Sequence, residues 1–348
     1  LFPGIAIAEE FLKRDPRNRV LFIGTKKGIE QRVLGRWGYD LKLIEVEGLK
    51  GRGMSALIKG VYAIPHSMWQ SLNIMRDFHP DVVLGVGGYA SGPVVITAWM
   101  MRIPTAIAEQ NALAGNTNLI LGRFVKKVFL TYEQSRKGFA PEKVILTGNP
   151  VRAAFAAGLF QTDSNKPGPQ IFIFGGSQGA SAINRTVVAM LPLLEKLTKG
   201  FRIVHQTGEQ DYDMVREAYK KHGLVAQVSP FIVDMVSVYA ASDVIICRAG
   251  ATSLAEITAA GRAAILIPFP WAANDHQTHN AKAMVEAGAA FMIQESELTP
   301  EILFEKIRNL LEDERKLKEM ERQSKKLGRL DAATRIVDAC LQLAAEHR

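Results

Sequence analysis

Short apolar runs alternate with stretches of helical spacing along nearly the whole chain. Residues 5–13 set their apolar side chains three and four apart, as one face of an amphipathic helix does, while 19–24 and 41–46 read as strands. Further runs follow at 81–86, 104–108 and 144–146. After a polar segment at 161–170 containing proline and glycine, the alternation restarts at 170–174 and continues through 202–206, 226–228, 244–247 and 263–267. Strands joined by helices in this order predict an α/β protein with parallel sheets covered on both faces. The run 244–247, Val-Ile-Ile-Cys, has no polar position and reads as a strand buried on both sides. The restart predicts two domains, 1–148 and 149–331, with a final helix at 332–348 long enough to pack back on the first. The charged helical stretch at 313–326 reads as a solvated face.

A chain of 348 residues suits two ordinary cores. Its formal net charge of +8 admits nucleic acid, an anionic membrane surface or a phosphorylated substrate as partner. No Lys/Arg tract is interleaved with aromatics and no zinc-finger or RNA-binding motif is present, so no nucleic-acid partner is expected. No apolar run reaches the ~20 residues that cross a bilayer; 94–108 is interrupted by Arg102 and Pro104. Cys247 and Cys340 make neither a disulfide framework nor a metal-ligand cluster, so no metal is expected and a reducing compartment fits.

Ligands of parallel α/β sheets sit at the carboxyl ends of the strands, and those ends are where this chain concentrates glycine and polar residues. The run 81–86 empties into Gly87-Gly-Tyr-Ala-Ser-Gly-Pro93, 104–108 into Glu109-Gln110-Asn111, and 170–174 into Gly175-Gly-Ser-Gln-Gly179. The first of these turns superficially resembles a dinucleotide fingerprint, but it follows at least two strands rather than opening the first unit. The run 244–247 leads to Ala249-Gly250-Ala251-Thr252-Ser253, a small-residue loop opening a helix whose backbone N–H groups favour a phosphate. Glu256 falls in the predicted first turn of that helix, where Ser253-x-x-Glu256 equally fits a capping box. Residues 48–53 form a basic glycine loop, either a ligand contact or a solvated turn. The helical stretch 54–78 carries more large apolar groups than one core-facing stripe needs. It is either a packed helix broken at Pro65 or a surface that meets a bilayer.

The ordered set Phe2-Pro-Gly4, Gly87-Gly-Tyr-Ala-Ser-Gly-Pro93, Glu109-Gln-Asn111, Gly148-Asn-Pro-Val-Arg152, Gly175-Gly-Ser-Gln-Gly-Ala180, Cys247-Arg-Ala-Gly-Ala251 and Asp275-His-Gln-Thr278 closely resembles the MurG family. These are the UDP-N-acetylglucosamine:undecaprenyl-diphospho-muramoyl-pentapeptide N-acetylglucosaminyltransferases of peptidoglycan synthesis. The likeness covers essentially the whole chain. It implies a GT-B fold, two Rossmann-like domains with parallel sheets facing across a cleft, the acceptor site in the first and the donor site in the second. It further implies inverting, metal-independent transfer of N-acetylglucosamine from UDP-GlcNAc to the 4-hydroxyl of the muramoyl sugar of lipid I, forming lipid II. No cofactor is implied. The partners implied are UDP-GlcNAc, lipid I, an anionic membrane surface and other cell-wall synthesis proteins, with a peripheral location on the cytoplasmic face of the cell membrane and a part in cell shape and division.

Residue by residue, the resemblance assigns Ile232 to uracil through its backbone and Glu256 to the ribose hydroxyls. Gly250, Ala251, Thr252 and Ser253 would cup the diphosphate, Arg152 and Ser177 would add donors, and Gln277 with Asn111 would hold the sugar. Met235 would flank the nucleotide or simply fill core. Thr278 stands where some relatives have a second glutamine. Ile58, Tyr62, Met68 and Trp99 would meet the membrane. The family's first strand and first glycine loop, Gly-Gly-Thr-Gly-Gly-His, are expected upstream of Leu1, and Ala108 occupies a position that is often histidine. The general base is then unassigned, with Glu109 as the nearby candidate and a buried hydrogen-bonding role as its alternative. Two rival readings are a different GT-B enzyme, such as a UDP-GlcNAc 2-epimerase or another glycolipid transferase, and a nucleotide-sugar-binding protein without catalysis.

Overall fold

The structure is a computed structural model that describes residues 1–348 apart from 26–33, 36–37, 47–53, 158–167, 177–178, 196, 198–199 and 348, with only the backbone of 54–63. The basic loop 48–53, Ser177 and the side chains of Ile58 and Tyr62 therefore lie outside the described residues. Contacts divide the chain into two compact units, Leu1–Arg152 with Asp331–Arg348, and Ala153–Leu330.

In the first unit, helix Phe2–Arg14 precedes β1 (Leu21–Thr25) and β2 (Asp40–Ile44), which pair in parallel. β3 (Val83–Gly85), β4 (Thr105–Glu109), β5 (Lys127–Leu130) and β6 (Val144–Leu146) form a second parallel sheet in that order. Flanked on both sides, β4 is buried at every position, which suits its Thr-Ala-Ile-Ala-Glu composition until the glutamate. Helix Met54–Phe78 runs through Pro65 for 25 residues, correcting the expected break. A proline removes one N–H from the ladder. Serine hydroxyls bond helix carbonyls on either side of it: Ser67 Oγ donates to the Ile64 carbonyl at 2.9 Å and Ser71 Oγ to that of Ser67 at 2.7 Å. The closing helix Ala332–Ala345 buries Ile336, Val337, Cys340 and Leu343 against Ile7, Ala106, Ala108 and Phe129.

In the second unit, β7 (Gln170–Phe174), β8 (Arg202–Gln206), β9 (Ala226–Ser229), β10 (Val244–Cys247), β11 (Ala263–Leu266) and β12 (Ala290–Met292) form one parallel sheet in the order β12-β11-β10-β7-β8-β9. The chain steps outward one way from β7 and the other way from β10, so a crevice opens where the carboxyl ends of these two neighbours diverge into their loops. Their register, Val244 beside Ile171 and Cys247 beside Phe174, brings both ends to one level. One face of this sheet packs Ile171, Ile173, Val244, Ile246 and Ile265 into a single apolar cluster. On the other, Tyr239 meets the rings of Phe155, Phe172 and Phe174 edge-on at 5.4, 5.6 and 6.0 Å. Parallel strands buried on both faces explain why these segments are apolar throughout.

Candidate functional site

Gly175 and Gly179, in the turn after β7, leave no room for a side chain. A Cβ at Gly175 would lie 2.3 Å from the Ala180 nitrogen, and one at Gly179, where φ is +79°, would lie 2.0 Å from the Thr207 carbonyl oxygen. Helix Ser181–Leu194 follows. The turn after β10 has a different reason for its glycine. Gly250 sits at the N-cap of helix Ala251–Ala260 with φ −68° and ψ 138°, a conformation open to any residue, and no side chain caps the helix. The carboxyl end of that helix is set by Gly261, left-handed at φ 63°.

This start corrects the reading of Glu256. With Gly250 as N-cap, Ser253 is the third helical residue and no acidic side chain lies in the first turn. The capping box is therefore absent, and Glu256 stands in the second turn, 6% exposed. Burial raises the thiol pKa of neighbouring Cys247, and the Glu256 charge adds to that rise, so the thiol stays protonated and inert.

Arg248, in the β10 turn, anchors the next segment. It pairs with Glu295, donates from Nη1 to the Ile267 and Pro268 carbonyls at 3.2 Å each, and lies 5.4 Å over the Phe269 ring. The Phe269 N–H in turn goes to Gln277 Oε1 at 3.0 Å. That leaves the NH₂ end of Gln277 as the end it can turn toward a ligand. Asn280 joins the same group, its Nδ2 reaching the Ala249 carbonyl at 3.3 Å. Ile232, after β9, is 8% exposed, and its N–H donates to Gln206 Oε1 at 2.8 Å. Met235 is half-buried at the start of helix Met235–Ala241, which Asp234 caps through Ser237 N–H. A cavity of about 480 Å³ beside Ile232 runs under that helix to Gln170, at the amino end of β7, and so leads away from the crevice. Gly250, Ala251, Thr252, Ser253, Gln277 and Ile232 all belong to this unit and lie on turns or helix starts at the carboxyl ends of its strands, with Glu256 one turn further into its helix. Gln206 and Arg248 were missed by sequence reasoning; their signal was a polar side chain directly at a strand's carboxyl end.

In the first unit, Glu109 ends β4 and is 2% exposed. Its Oε1 accepts the backbone and side-chain N–H groups of Asn111 at 2.9 and 3.1 Å, and its Oε2 accepts Gly115 N–H at 2.9 Å and Asn118 Nδ2 at 2.8 Å. Two donors on each oxygen fill the carboxylate. Asn111 is thus held directly by Glu109. Arg152 falls at the end of this unit, its guanidinium 5.4 Å over the Phe2 ring. Of the residues expected at a membrane, Trp99 is 44% exposed while Met68 is half-buried. Ile64, Trp69 and Met100 are exposed nearby in sequence.

Comparison with known proteins finds relatives over nearly the whole chain. Residues 1–130 match the glycosyltransferase family 28 N-terminal domain and residues 170–336 its C-terminal domain. A UDP-N-acetylglucosamine--N-acetylmuramyl-(pentapeptide) pyrophosphoryl-undecaprenol N-acetylglucosamine transferase from Syntrophus aciditrophicus (strain SB) is 53% identical over 343 residues, spanning 99% of this chain and 95% of the relative. One of the same name from Myxococcus xanthus (strain DK1622) is 48% identical over 346 residues, spanning 99% and 90%. Among solved structures, Acinetobacter baumannii MurG matches with a TM-score of 0.79 at 32% identity, covering 98% of this chain and 95% of that one. A UDP-GlcNAc 2-epimerase from Neisseria meningitidis bound to UDP-GlcNAc matches at 0.69 but only 16% identity, over 98% and 96%, which speaks for the shared fold alone.

Proposed function

Because the chain belongs to glycosyltransferase family 28, we propose that the crevice between β7 and β10 is the donor site of an N-acetylglucosaminyltransferase. The fold is GT-B. The enzyme transfers N-acetylglucosamine from UDP-GlcNAc to lipid I, forming lipid II in peptidoglycan synthesis. The observation that carries the donor assignment is the β7/β10 switch point, with a glycine turn on one side and a helix start lacking a side-chain cap on the other.

In this reading Gly250, Ala251, Thr252 and Ser253 meet the diphosphate at the positive end of a helix dipole, with Ser177 and Arg152 as further donors. Glu256 accepts the ribose hydroxyls, the Ile232 backbone meets the uracil, and Gln277 holds the sugar. The acceptor 4-hydroxyl attacks the anomeric carbon as the bond to the diphosphate breaks, with inversion, and UDP leaves with its charge met by the helix end. We read Glu109 as positioning Asn111, since its lone pairs are occupied, so a different group takes the hydroxyl proton. Incubating the chain with UDP-GlcNAc and a lipid I analogue should release UDP and form disaccharide in equal amounts. UDP-GlcNAc alone should remain unchanged, and epimerised sugar from donor alone would sink the reading.

Lipid I is anchored in a bilayer, so the enzyme must work at its surface, which we place on the cytoplasmic side. Among the described residues no helix is long and apolar enough to cross a membrane. The contact surface we propose is Trp99 and Met100 with Trp69. Trp99 packs edge-on to Phe124 with centroids 4.9 Å apart, and Arg102 and Arg123 are exposed beside these residues in sequence. Apolar insertion and attraction to anionic lipid then add. Trp99→Glu combined with Met100→Glu should weaken binding to phosphatidylglycerol vesicles by about tenfold or more, as apolar area and charge match are lost together. UDP binding should be unaffected. Unchanged vesicle sedimentation would remove this surface from the account. Further cell-wall synthesis proteins fit as partners at the same membrane.

A further inference from the structure

The carboxyl end of β8 lies between the turns that follow β7 and β9, and its side chains are committed to holding both. Gln206, 3% exposed, uses each end of its amide: Nε2 donates to the Gly176 carbonyl at 3.0 Å and Oε1 accepts the Ile232 N–H at 2.8 Å. A flipped amide would set oxygen against carbonyl and NH₂ against N–H, so its orientation is fixed. The next residue continues the support. The Thr207 carbonyl, against which Gly179 packs, accepts Asn184 Nδ2 at 2.9 Å.

Asn184 is oriented as firmly. Its Nδ2 also donates to Asp211 Oδ2 at 2.8 Å, the oxygen that accepts Ser181 Oγ at 2.7 Å. Asn184 Oδ1 must then accept from His205 Nε2 at 3.0 Å, and His205 Nδ1 accepts from the Tyr219 hydroxyl at 3.1 Å. Burial holds the His205 pKa down at about 3, the Asp211 charge opposing, so the ring is neutral and this order of donors persists at ordinary pH. Asn184, His205, Gln206, Thr207, Asp211 and Tyr219 are all buried, and their donors and acceptors are matched, which is how a polar network becomes rigid.

We infer that the end of β8 is a brace that fixes the spacing of Gly176 and the 230–232 turn for a nucleotide spanning them, with Gln206 as its positioning residue. This rests on the donor reading of the unit. Gly176 and Ile232 are 30 and 26 residues from Gln206 in sequence, and its amide joins them directly. A ligand that touches both turns binds tightly only if their separation is set beforehand, since otherwise ordering them draws on the binding energy. Gln206 acts through the turns and touches no reacting atom.

The test is titration of UDP into the full chain by calorimetry at pH 8 and pH 5.5. Gln206→Glu keeps the acceptor for Ile232 but, ionised, loses the donor to Gly176; protonated, its O–H restores that donor. Burial raises the pKa of the introduced carboxyl, while His205 stays neutral throughout. Relative to the unsubstituted chain at the same pH, affinity should fall about tenfold at pH 8 and return to within about threefold at pH 5.5. Gln206→Met, lacking both bonds, should be about tenfold weaker at each pH. Near-UV circular dichroism confirms that each variant is folded; should the methionine variant not fold, the recovery of the glutamate variant decides alone. Wild-type affinity at pH 8, or an equal loss at both pH values, overturns the brace. Absence of UDP binding by the unsubstituted chain would overturn the donor reading and the brace with it.

Discussion

Replacing Glu256 by alanine is expected to raise the KM for UDP-GlcNAc by about a hundredfold while kcat falls by much less. A carboxylate that accepts two ribose hydroxyls makes two charge-assisted hydrogen bonds, each worth roughly 1.5–3 kcal/mol, and every 1.4 kcal/mol is a factor of ten. Ribose is remote from the reacting carbon and changes little on the way to the transition state. Its loss is therefore one of uniform binding, which appears in KM. Glu256 is suited to the role by its place: it is nearly buried, one turn inside the helix whose start faces the crevice. Glu256→Gln keeps an acceptor and should lie between. The decisive comparison uses a donor lacking the ribose 2′-hydroxyl. The unsubstituted chain should discriminate against it by about tenfold or more, and Glu256→Ala should not. Equal discrimination by both chains would mean that Glu256 does not read the ribose.

How much of this was legible depended on how far apart in sequence the partners lie. β10 and the helix after it could be read from Val-Ile-Ile-Cys followed by small residues, since burial on two faces and a close-packed helix entry leave local marks. The capping box failed because its pattern tolerates a shift of a few residues. Ser253 fits the motif, yet the helix starts at Ala251. Glu109 was readable in part. All its donors lie within nine residues, on Asn111, Gly115 and Asn118, so a saturated carboxylate could have been weighed from the spacing alone. Gln206 and Arg248 could not be found that way. Arg248 reaches Glu295 across 47 residues, and periodicity, which reports faces of single elements, carries nothing about such pairs.

Glycine separates fold from function at this site, and two alanine substitutions should show it. Gly179→Ala places a Cβ 2.0 Å from the Thr207 carbonyl oxygen, at a left-handed φ of +79°. Backbone cannot yield as a flexible side chain does, and the left-handed conformation alone costs an alanine about 1–2 kcal/mol. The backbone at Gly179 must therefore move, and Gly176 with it away from Gln206, so donor affinity should fall by a hundredfold or more and the melting temperature with it. Gly250→Ala should behave otherwise. Its φ of −68° suits alanine, and the nearest atom to the new Cβ is Ser253 Oγ at 3.9 Å, so the chain alone gives no reason for glycine. Losing a glycine N-cap to alanine costs about 1 kcal/mol at most, and the melting temperature should hardly change. If the diphosphate rests against this backbone, the added methyl occupies its place, and UDP affinity should drop at least tenfold in a fully folded protein. Unchanged UDP affinity in Gly250→Ala would move the diphosphate away from the helix start. A loss of stability matching that of Gly179→Ala would show that the glycine serves the fold after all.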